Sequence, residues 1–279
     1  VVELAGRTFL VTGANTGMGR VTALNLAQRG GHVVLACRSE ERARPVLDAI
    51  ATSGGSASFL ALDLGSLAAT RDAAHRYLDS GAPLDVLVNN AGLAGHGGLT
   101  EDGFERTFGV NHLGPYLFTR LLLPRLSQGR APRIVNVSSK SHFVAKKLDL
   151  DRVRTPMSNP IGKAEYEHSK LCNVLFTTAL ADGRAPGVRS YAVSPGRVAT
   201  DIWRQIPWPF REIAKAFMLS EEEGAATQIH CATSPDVGDH DGRYYHRSRP
   251  VPASALAQDP AVARRLWETS EAWVVDHLD

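Results

Sequence analysis

Residues 8–19 read Thr8-Phe9-Leu10-Val11-Thr12-Gly13-Ala14-Asn15-Thr16-Gly17-Met18-Gly19. Thr8–Val11 is a short apolar run, and a glycine-rich turn follows it. Val21, Leu24, Leu26 and Ala27 then repeat at helical spacing and stop at Gly30-Gly31. A second apolar run, His32–Ala36, follows at once. Strand, turn, helix and strand in about thirty residues form a βαβ unit with a right-handed crossover. Glycines at such a turn let the backbone bend sharply and approach a pyrophosphate, which sits on the amides of the helix N-terminus. The spacing is Gly-x-x-x-Gly-x-Gly rather than the commoner Gly-x-Gly-x-x-Gly. Between a strand and a helix the turn points to a dinucleotide; the alternative is a turn and nothing more.

The end of the second strand refines the ligand. An enzyme that binds the ribose of NAD usually places an acid there. Here the order is Ala36-Cys37-Arg38-Ser39. A guanidinium suits a 2′-phosphate, which a carboxylate would repel. NADP(H) is the expected cofactor, with Arg38 and Ser39 at the phosphate; otherwise Arg38 only covers the surface.

The alternation continues outward. Glu40–Ala51 reads as a helix, Ala57–Ala61 as a strand closed by Asp63-Leu64, and Ser66 as the N-cap of a helix reaching about Tyr77. Leu84–Val88 is an apolar strand followed by Asn89-Asn90-Ala91-Gly92, where doubly wound sheets bind ligands. Thr100–Leu126 reads as one long helix, kinked at Pro115. It contains Asn111, a residue disfavoured in helix interiors and so in need of a partner or a function. Arg133–Val137, Val188–Val193 and Arg243–Tyr245 read as further strands, and Glu221–Cys231 and Ala261–Val275 as helices. The expectation is one α/β domain over residues 1–279, a Rossmann-type doubly wound parallel sheet of about seven strands with helices on both faces. Residues 140–162 read as a surface loop and 200–220 as a second insertion.

Composition limits the alternatives. Of 279 residues, 43% are hydrophobic, so a sizeable core is available. A net charge of +2, from 31 basic and 29 acidic residues, gives no electrostatic reason to expect nucleic acid. No run of about 18 apolar residues could cross a membrane as a helix, and no secretory signal precedes the first strand. The chain starts at Val1 rather than Met, which leaves an upstream segment open. Cys37, Cys172 and Cys231 form neither a disulfide framework nor a metal set, so no metal and a reducing, cytoplasmic setting are expected.

Ile161–Ala179 reads IGKAEYEHSKLCNVLFTTA. Tyr166 and Lys170 are four apart and share a helix face. A phenol ionises near pH ~10, and a cation one turn away favours the phenolate. The pair is either a tuned acid/base or an aromatic packed beside a solvated lysine.

TGANTGMG after the first strand, NNAG after the fourth, Asn111, NVSS after the fifth, YEHSK and SPGRVAT resemble, in order and spacing, the short-chain dehydrogenase/reductase family. The match runs from about Arg7 to Tyr245. The TGANTG form, the ACRS ending and the loop before YEHSK look most like its retinol-dehydrogenase-like branch; YEHSKLCN is also similar to light-dependent protochlorophyllide reductase. The resemblance implies catalytic roles. Tyr166 would be the acid in reduction and the base in oxidation. Lys170 would lower its pKa and hold the nicotinamide ribose. Ser139 rather than Ser138 would bond the substrate oxygen, and Asn111 would hold a water linking Lys170 to solvent. For the cofactor it implies Gly13, Asn15, Thr16, Gly17 and Met18 at the pyrophosphate and nearby ribose, and Asp63 and Leu64 at the adenine. Asn90, Ala91 and Gly92 would touch the ribose, and Pro195, Gly196, Val198 and Thr200 would frame the nicotinamide. Met18 departs from the usual branched residue, and Cys37 from the usual acid.

The substrate is expected over the nicotinamide, between the Ser139–Ser141 turn and Asp201–Leu219. Ser141, His142, Phe143 and Trp203 are candidate lining residues, as are residues 93–98. Ile206, Phe210, Ile213 and Phe217 repeat along one helix face. This aromatic stretch is a lid over an apolar carbonyl compound or alcohol, ordinary core, or a subunit contact. With Arg204, Arg211 and Lys215 it is also open to a membrane-surface reading. His96 and His168 read as surface or packing residues. Family habit implies a homodimer or homotetramer built on Thr100–Leu126 and Tyr166–Ala181. A non-catalytic NADP(H)-binding sensor or scaffold is the rival; it would not need Asn111, Ser139, Tyr166 and Lys170 together.

Overall fold

Strands that are apolar on every residue belong in a sheet covered on both faces, and that is where they lie. The computed structural model describes residues 3–95, 97–157, 162–196 and 219–279. Eight strands form one sheet in the order β3-β2-β1-β4-β5-β6-β7-β8. They are β1 Thr8–Thr12, β2 His32–Cys37, β3 Ser56–Ala61, β4 Val86–Asn89, β5 Arg133–Val137, β6 Arg189–Ser194, β7 Arg243–His246 and β8 Arg249–Val251. All pairs are parallel except β7–β8. The expected seven strands become eight because β8, three residues with Pro250 in the middle, carries no strand pattern.

Alternate residues of each strand feed two cores. Phe9, Val11, Val33, Leu35, Val86, Val88 and Val135 pack with α1 (Gly17–Gln28), α2 (Glu40–Thr52) and α7 (Glu221–Thr233). Leu10, Val34, Leu87 and Ile134 pack with α3 (Leu67–Asp79), α5 (Gly114–Leu126), α6 (Lys163–Ala179) and α8 (Pro260–Val274). Ser66 caps α3 as expected, accepting the Ala69 N–H. The order reverses between β1 and β4, which opens the crevice at the C-terminal ends of these strands where doubly wound folds bind ligands.

Two expectations change. Thr100–Leu126 is not one helix. Residues 100–105 form a turn closed by a Leu99–Glu105 bridge. A single helical turn, α4 (Arg106–Phe108), runs into a π-turn at Gly109–Leu113 and then into α5. Pro115 lies in the first turn of α5, where a missing N–H costs little. Residues 140–157 are not a loose surface loop, because Leu148, Leu150 and Val153 are buried in the core. On α5 and α6, α8 of the same chain is seated: Trp267 packs on Tyr116 and Phe176. The aromatic stretch of residues 201–218, with Trp203, and His96 lie outside the described residues. Among the described residues no helix is long and apolar enough to cross a membrane.

Candidate active site

The glycine turn is built by steric exclusion. Gly13 and Gly17 hold φ of +67° and +56°, which side chains disfavour. A Cβ on Gly19 would sit 2.3 Å from the Gly13 carbonyl oxygen and 2.5 Å from Asn90 Nδ2. The start of α1 therefore packs directly on the turn, and its first turn carries no acid. Amides at a helix start and no carboxylate suit a pyrophosphate. At the end of β2, Cys37 is buried and its thiol accepts the Ala14 and Asn15 N–H groups; burial pushes its pKa up to about 11. It thus braces the turn where an NAD-type site would offer an acid. Arg38 is exposed and makes no hydrogen bond or ion pair among the described residues. Ser39 is spent as the N-cap of α2, accepting the Arg42 N–H at 3.2 Å. These residues fit a 2′-phosphorylated dinucleotide: a helix start and an unengaged guanidinium stand together.

Several expected cofactor residues turn their side chains into the protein. Asn90 Nδ2 donates to the Thr12 carbonyl at 2.9 Å, and Asn90 Oδ1 accepts from Gln228 Nε2 at 3.2 Å. Gln228, on α7, also donates to Thr22 Oγ1 and the Met18 carbonyl. Leu64 is buried in the core, while Asp63 stays exposed and accepts the Gly65 N–H. The Asn90 and Leu64 side chains are thus engaged within the protein. Pro195 and Gly196, with Gly196 at φ +90°, end the described stretch after β6; Val198 and Thr200 fall outside it.

Three elements bring Asn111, Ser139, Tyr166 and Lys170 together. Ser138 and Ser139 follow β5 and point to different places. Ser138 Oγ donates to the Lys170 carbonyl at 2.7 Å and is buried, so it fastens α6. Ser139 is the N-cap of a 3₁₀ turn, accepting the Ser141 N–H at 3.1 Å, and it hydrogen-bonds the Tyr166 hydroxyl. Burial pushes the Tyr166 phenol up to about 12, while the Ser139 contact pulls it back. Lys170 Nζ donates to the Val137 carbonyl at 3.0 Å and lies 5.4 Å from the centre of the Tyr166 ring. Gly92 closes the group: a Cβ there would be 3.3 Å from Asn111 Oδ1 and 3.4 Å from Lys170 Nζ.

The Asn111 side chain is engaged within the protein. Its Nδ2 donates to the Leu93 carbonyl and Ser169 Oγ, and its Oδ1 accepts the Leu93 N–H at 2.8 Å. Ser169 in turn donates to the Tyr166 carbonyl at 2.8 Å. The side chain is a strut between the segment after β4 and α6, both Nδ2 protons engaged. Its backbone is different. An α-helix would pair the Asn111 carbonyl with the N–H four residues on, and that residue is Pro115, which has none. The π-turn is where the helix absorbs this conflict, a device common at functional sites.

His142 is also corrected. It is fully buried, its Nδ1 bonds the Ser139 carbonyl at 2.7 Å, and its Nε2 accepts the Ser254 N–H at 3.1 Å. It holds the serine turn and lines no open space. Phe143, half-exposed, and Ser141 remain at the surface of that turn. A cavity of about 260 Å³ lies at Ala164, Glu165 and His168, on the side of α6 away from Tyr166, and so is not the reaction space. His168 serves packing there, accepting the Asp149 N–H at 3.1 Å. Sequence reading also missed Gln228, a glutamine with no local motif.

Burial pulls the Lys170 ammonium down to about 8. An unfolded lysine titrates near ~10.4. Between these values the unfolded chain binds more protons, so this group's contribution to stability rises with pH across the window. Below it, the buried charge is a standing cost. Lys170→Met is expected to raise the unfolding free energy at pH 7 by roughly 1 to 3 kcal/mol, with the gain fading by about pH 10. Urea melts at both pH values check this, and a loss of stability at pH 7 would refute it.

The short chain dehydrogenase family model matches residues 7–149. Dehydrogenase/reductase SDR family member 13 of Bos taurus is 39% identical over 97% of this chain and 74% of its own length. Human retinol dehydrogenase 11 is 38% identical over 96% of this chain and 86% of its own. Mouse polyprenol dehydrogenase is 40% identical over 94% and 82%. Among solved structures, an uncharacterized protein from Mycobacterium paratuberculosis superposes with a TM-score of 0.77 at 31% identity, covering 98% of this chain and 96% of that one. A protein from Agrobacterium tumefaciens, provisionally named a 2-deoxy-d-gluconate 3-dehydrogenase and holding NADP, gives 0.68 at 27% identity, covering 87% and 94%.

Proposed function

Given that the chain belongs to the short-chain dehydrogenase family, in its retinol-dehydrogenase-like branch, we propose that it is an NADP(H)-dependent oxidoreductase interconverting an apolar ketone or aldehyde and its alcohol, with Tyr166 as acid/base. The observation that carries this reading is the meeting of Tyr166, Ser139 and Lys170 beside Gly92 at the C-terminal ends of β4 and β5. The bound cofactor supplies or accepts the hydride. The protein's residues handle the proton and the charge. Tyr166 is a neutral phenol at pH 7 with its pKa near 12, ready to protonate an oxygen on which negative charge develops. Ser139 is positioned to donate to that same oxygen. In the oxidative direction Tyr166 must first lose its proton, and the Lys170 ammonium lies 5.4 Å from its ring centre.

An apolar substrate is supported by two features. Retinol dehydrogenase 11 and polyprenol dehydrogenase are named for apolar alcohols, and Phe143 and Val144 stand half-exposed just after the serine turn. The free, buried thiols Cys37, Cys172 and Cys231 fit a reducing, cytoplasmic setting. NADPH consumption across a panel of apolar ketones and aldehydes tests the reading; tight NADPH binding with no turnover anywhere in the panel would favour a cofactor-binding sensor instead.

The cofactor preference has its own test. Charge-assisted hydrogen bonds contribute about 1.5 to 3 kcal/mol each, so Arg38→Ala should weaken NADPH roughly 10- to 100-fold. NADH, with no 2′-phosphate, should change less than about threefold. Titration by cofactor fluorescence measures both, and equal losses for the two would remove the phosphate role.

A further inference from the structure

The side of α5 and α6 that faces away from the sheet is apolar and aromatic, and α8 fills it. Ala263, Leu266, Trp267, Ser270 and Val274 of α8 are buried. Trp267 meets Tyr116 edge-on at 5.1 Å and lies 6.0 Å from Phe176. Trp273 meets Phe104 and Phe108 at 5.2 and 5.8 Å. The polar contacts match equally well. Arg120 grips Glu271 through two nitrogens at 2.9 and 2.6 Å, and the Tyr116 hydroxyl donates to the same carboxylate at 2.5 Å. Ser270 Oγ lies 3.2 Å from His112 Nε2. His112 belongs to the π-turn, one residue after Asn111.

We propose that α8 takes, within one chain, the place of a second copy: it closes the α5–α6 face and braces the π-turn that presents Asn111, so the site is complete in a monomer. A second chain pairing through α5 and α6 would have to displace Trp267 and a carboxylate held by three donors. An apolar surface already covered in this way offers little to a further partner. The brace reaches chemistry through a short path: Ser270 to His112, His112 to its neighbour Asn111, Asn111 to Ser169, and Ser169 to the Tyr166 carbonyl. Ser270 is thus a positioning residue.

Sedimentation of the 279-residue chain, loaded from roughly 0.1 to 50 µM because assembly follows protomer concentration, is expected to give a single-chain mass throughout; a dimer at any loading overturns the proposal. The bracing part rests on the proposed reaction and is read separately. Ser270→Ala should lower kcat about 3- to 10-fold through loosened alignment, leave NADPH affinity unchanged, and recover part of the loss in Ser270→Thr. An unchanged kcat in a folded Ser270→Ala overturns the brace. If Ser270→Ala does not fold, the mass measurement on the unaltered chain still decides the monomer. A chain that turns over no substrate fails the reaction reading and leaves the sedimentation result standing.

Discussion

Tyr166→Phe should lower kcat by about a thousandfold or more, the upper part of what a positioned general acid contributes, and leave NADPH binding within about threefold. The reason lies in how little else the hydroxyl does. Among the described residues the group that acts on it is Ser139, whose oxygen is also engaged by Ser141. Removing the hydroxyl leaves Ser139 partnered, so the stability change should stay within about 1 kcal/mol. The glycine turn, Cys37 and Arg38 lie at β1 and β2 and do not sense the change. Lys170 keeps its bond to the Val137 carbonyl. A kinetic loss without a binding or folding loss is therefore the expected signature, checked by stopped-flow turnover, cofactor titration and thermal melting of the same preparation. Turnover above about a tenth of the unaltered rate would remove Tyr166 from the proton transfer.

The Ser139→Ala variant separates proton transfer from charge stabilisation. Ser139 both pulls on the Tyr166 phenol and is positioned to bond the substrate oxygen. Its loss should cost less than that of Tyr166, because Tyr166 can still protonate the oxygen, and the parallel Ser138→Ala should act on stability instead, since Ser138 Oγ is committed to the Lys170 carbonyl.

Much of this arrangement was legible in the sequence because it is written in local patterns. Continuous apolar runs such as Val33–Ala36 and Val86–Val88 mark strands covered on both sides, and the helices between them end at glycines. The glycine turn and the Tyr166–Lys170 spacing are readable because each lies within one element. What was missed depends on distance in the chain. His142 and Ser254 are far apart in sequence, so nothing near His142 told that its ring was taken. Poor helix propensity marks Asn111 in the sequence, but its strut role needs Leu93 and Ser169. Pro115 signals a kink; the bend falls one turn earlier, in the π-turn where Pro115 denies the Asn111 carbonyl its i+4 N–H. The fate of the α5–α6 face was set by residues 260–274, whose pattern says amphipathic helix and not which face it covers.

Gly19→Ala, the smallest possible addition, should weaken NADPH roughly a hundredfold. The new methyl would stand 2.3 Å from the Gly13 carbonyl oxygen and 2.5 Å from Asn90 Nδ2. Neither atom is the free end of a flexible side chain. Gly13 is backbone, and Asn90 is pinned at both ends, to the Thr12 carbonyl and to Gln228. The start of α1 must therefore move away from the turn, which separates the amides that would share a pyrophosphate. Overpacking of this kind costs about 1 to 3 kcal/mol, and for a chain of this size each kcal/mol lowers Tm by about 2 to 4 °C. A stability loss alone does not establish a cofactor role, because a glycine that only permits a turn would show one too. Gly54→Ala supplies the contrast: Gly54 also has a positive φ, +75°, but nothing lies within 4 Å of its Cβ position and it sits at the far end of α2. It should lower Tm through backbone strain and leave NADPH affinity unchanged. If Gly19→Ala and Gly54→Ala both lose stability and neither loses affinity, the glycines of residues 13–19 shape a turn and do not hold a dinucleotide.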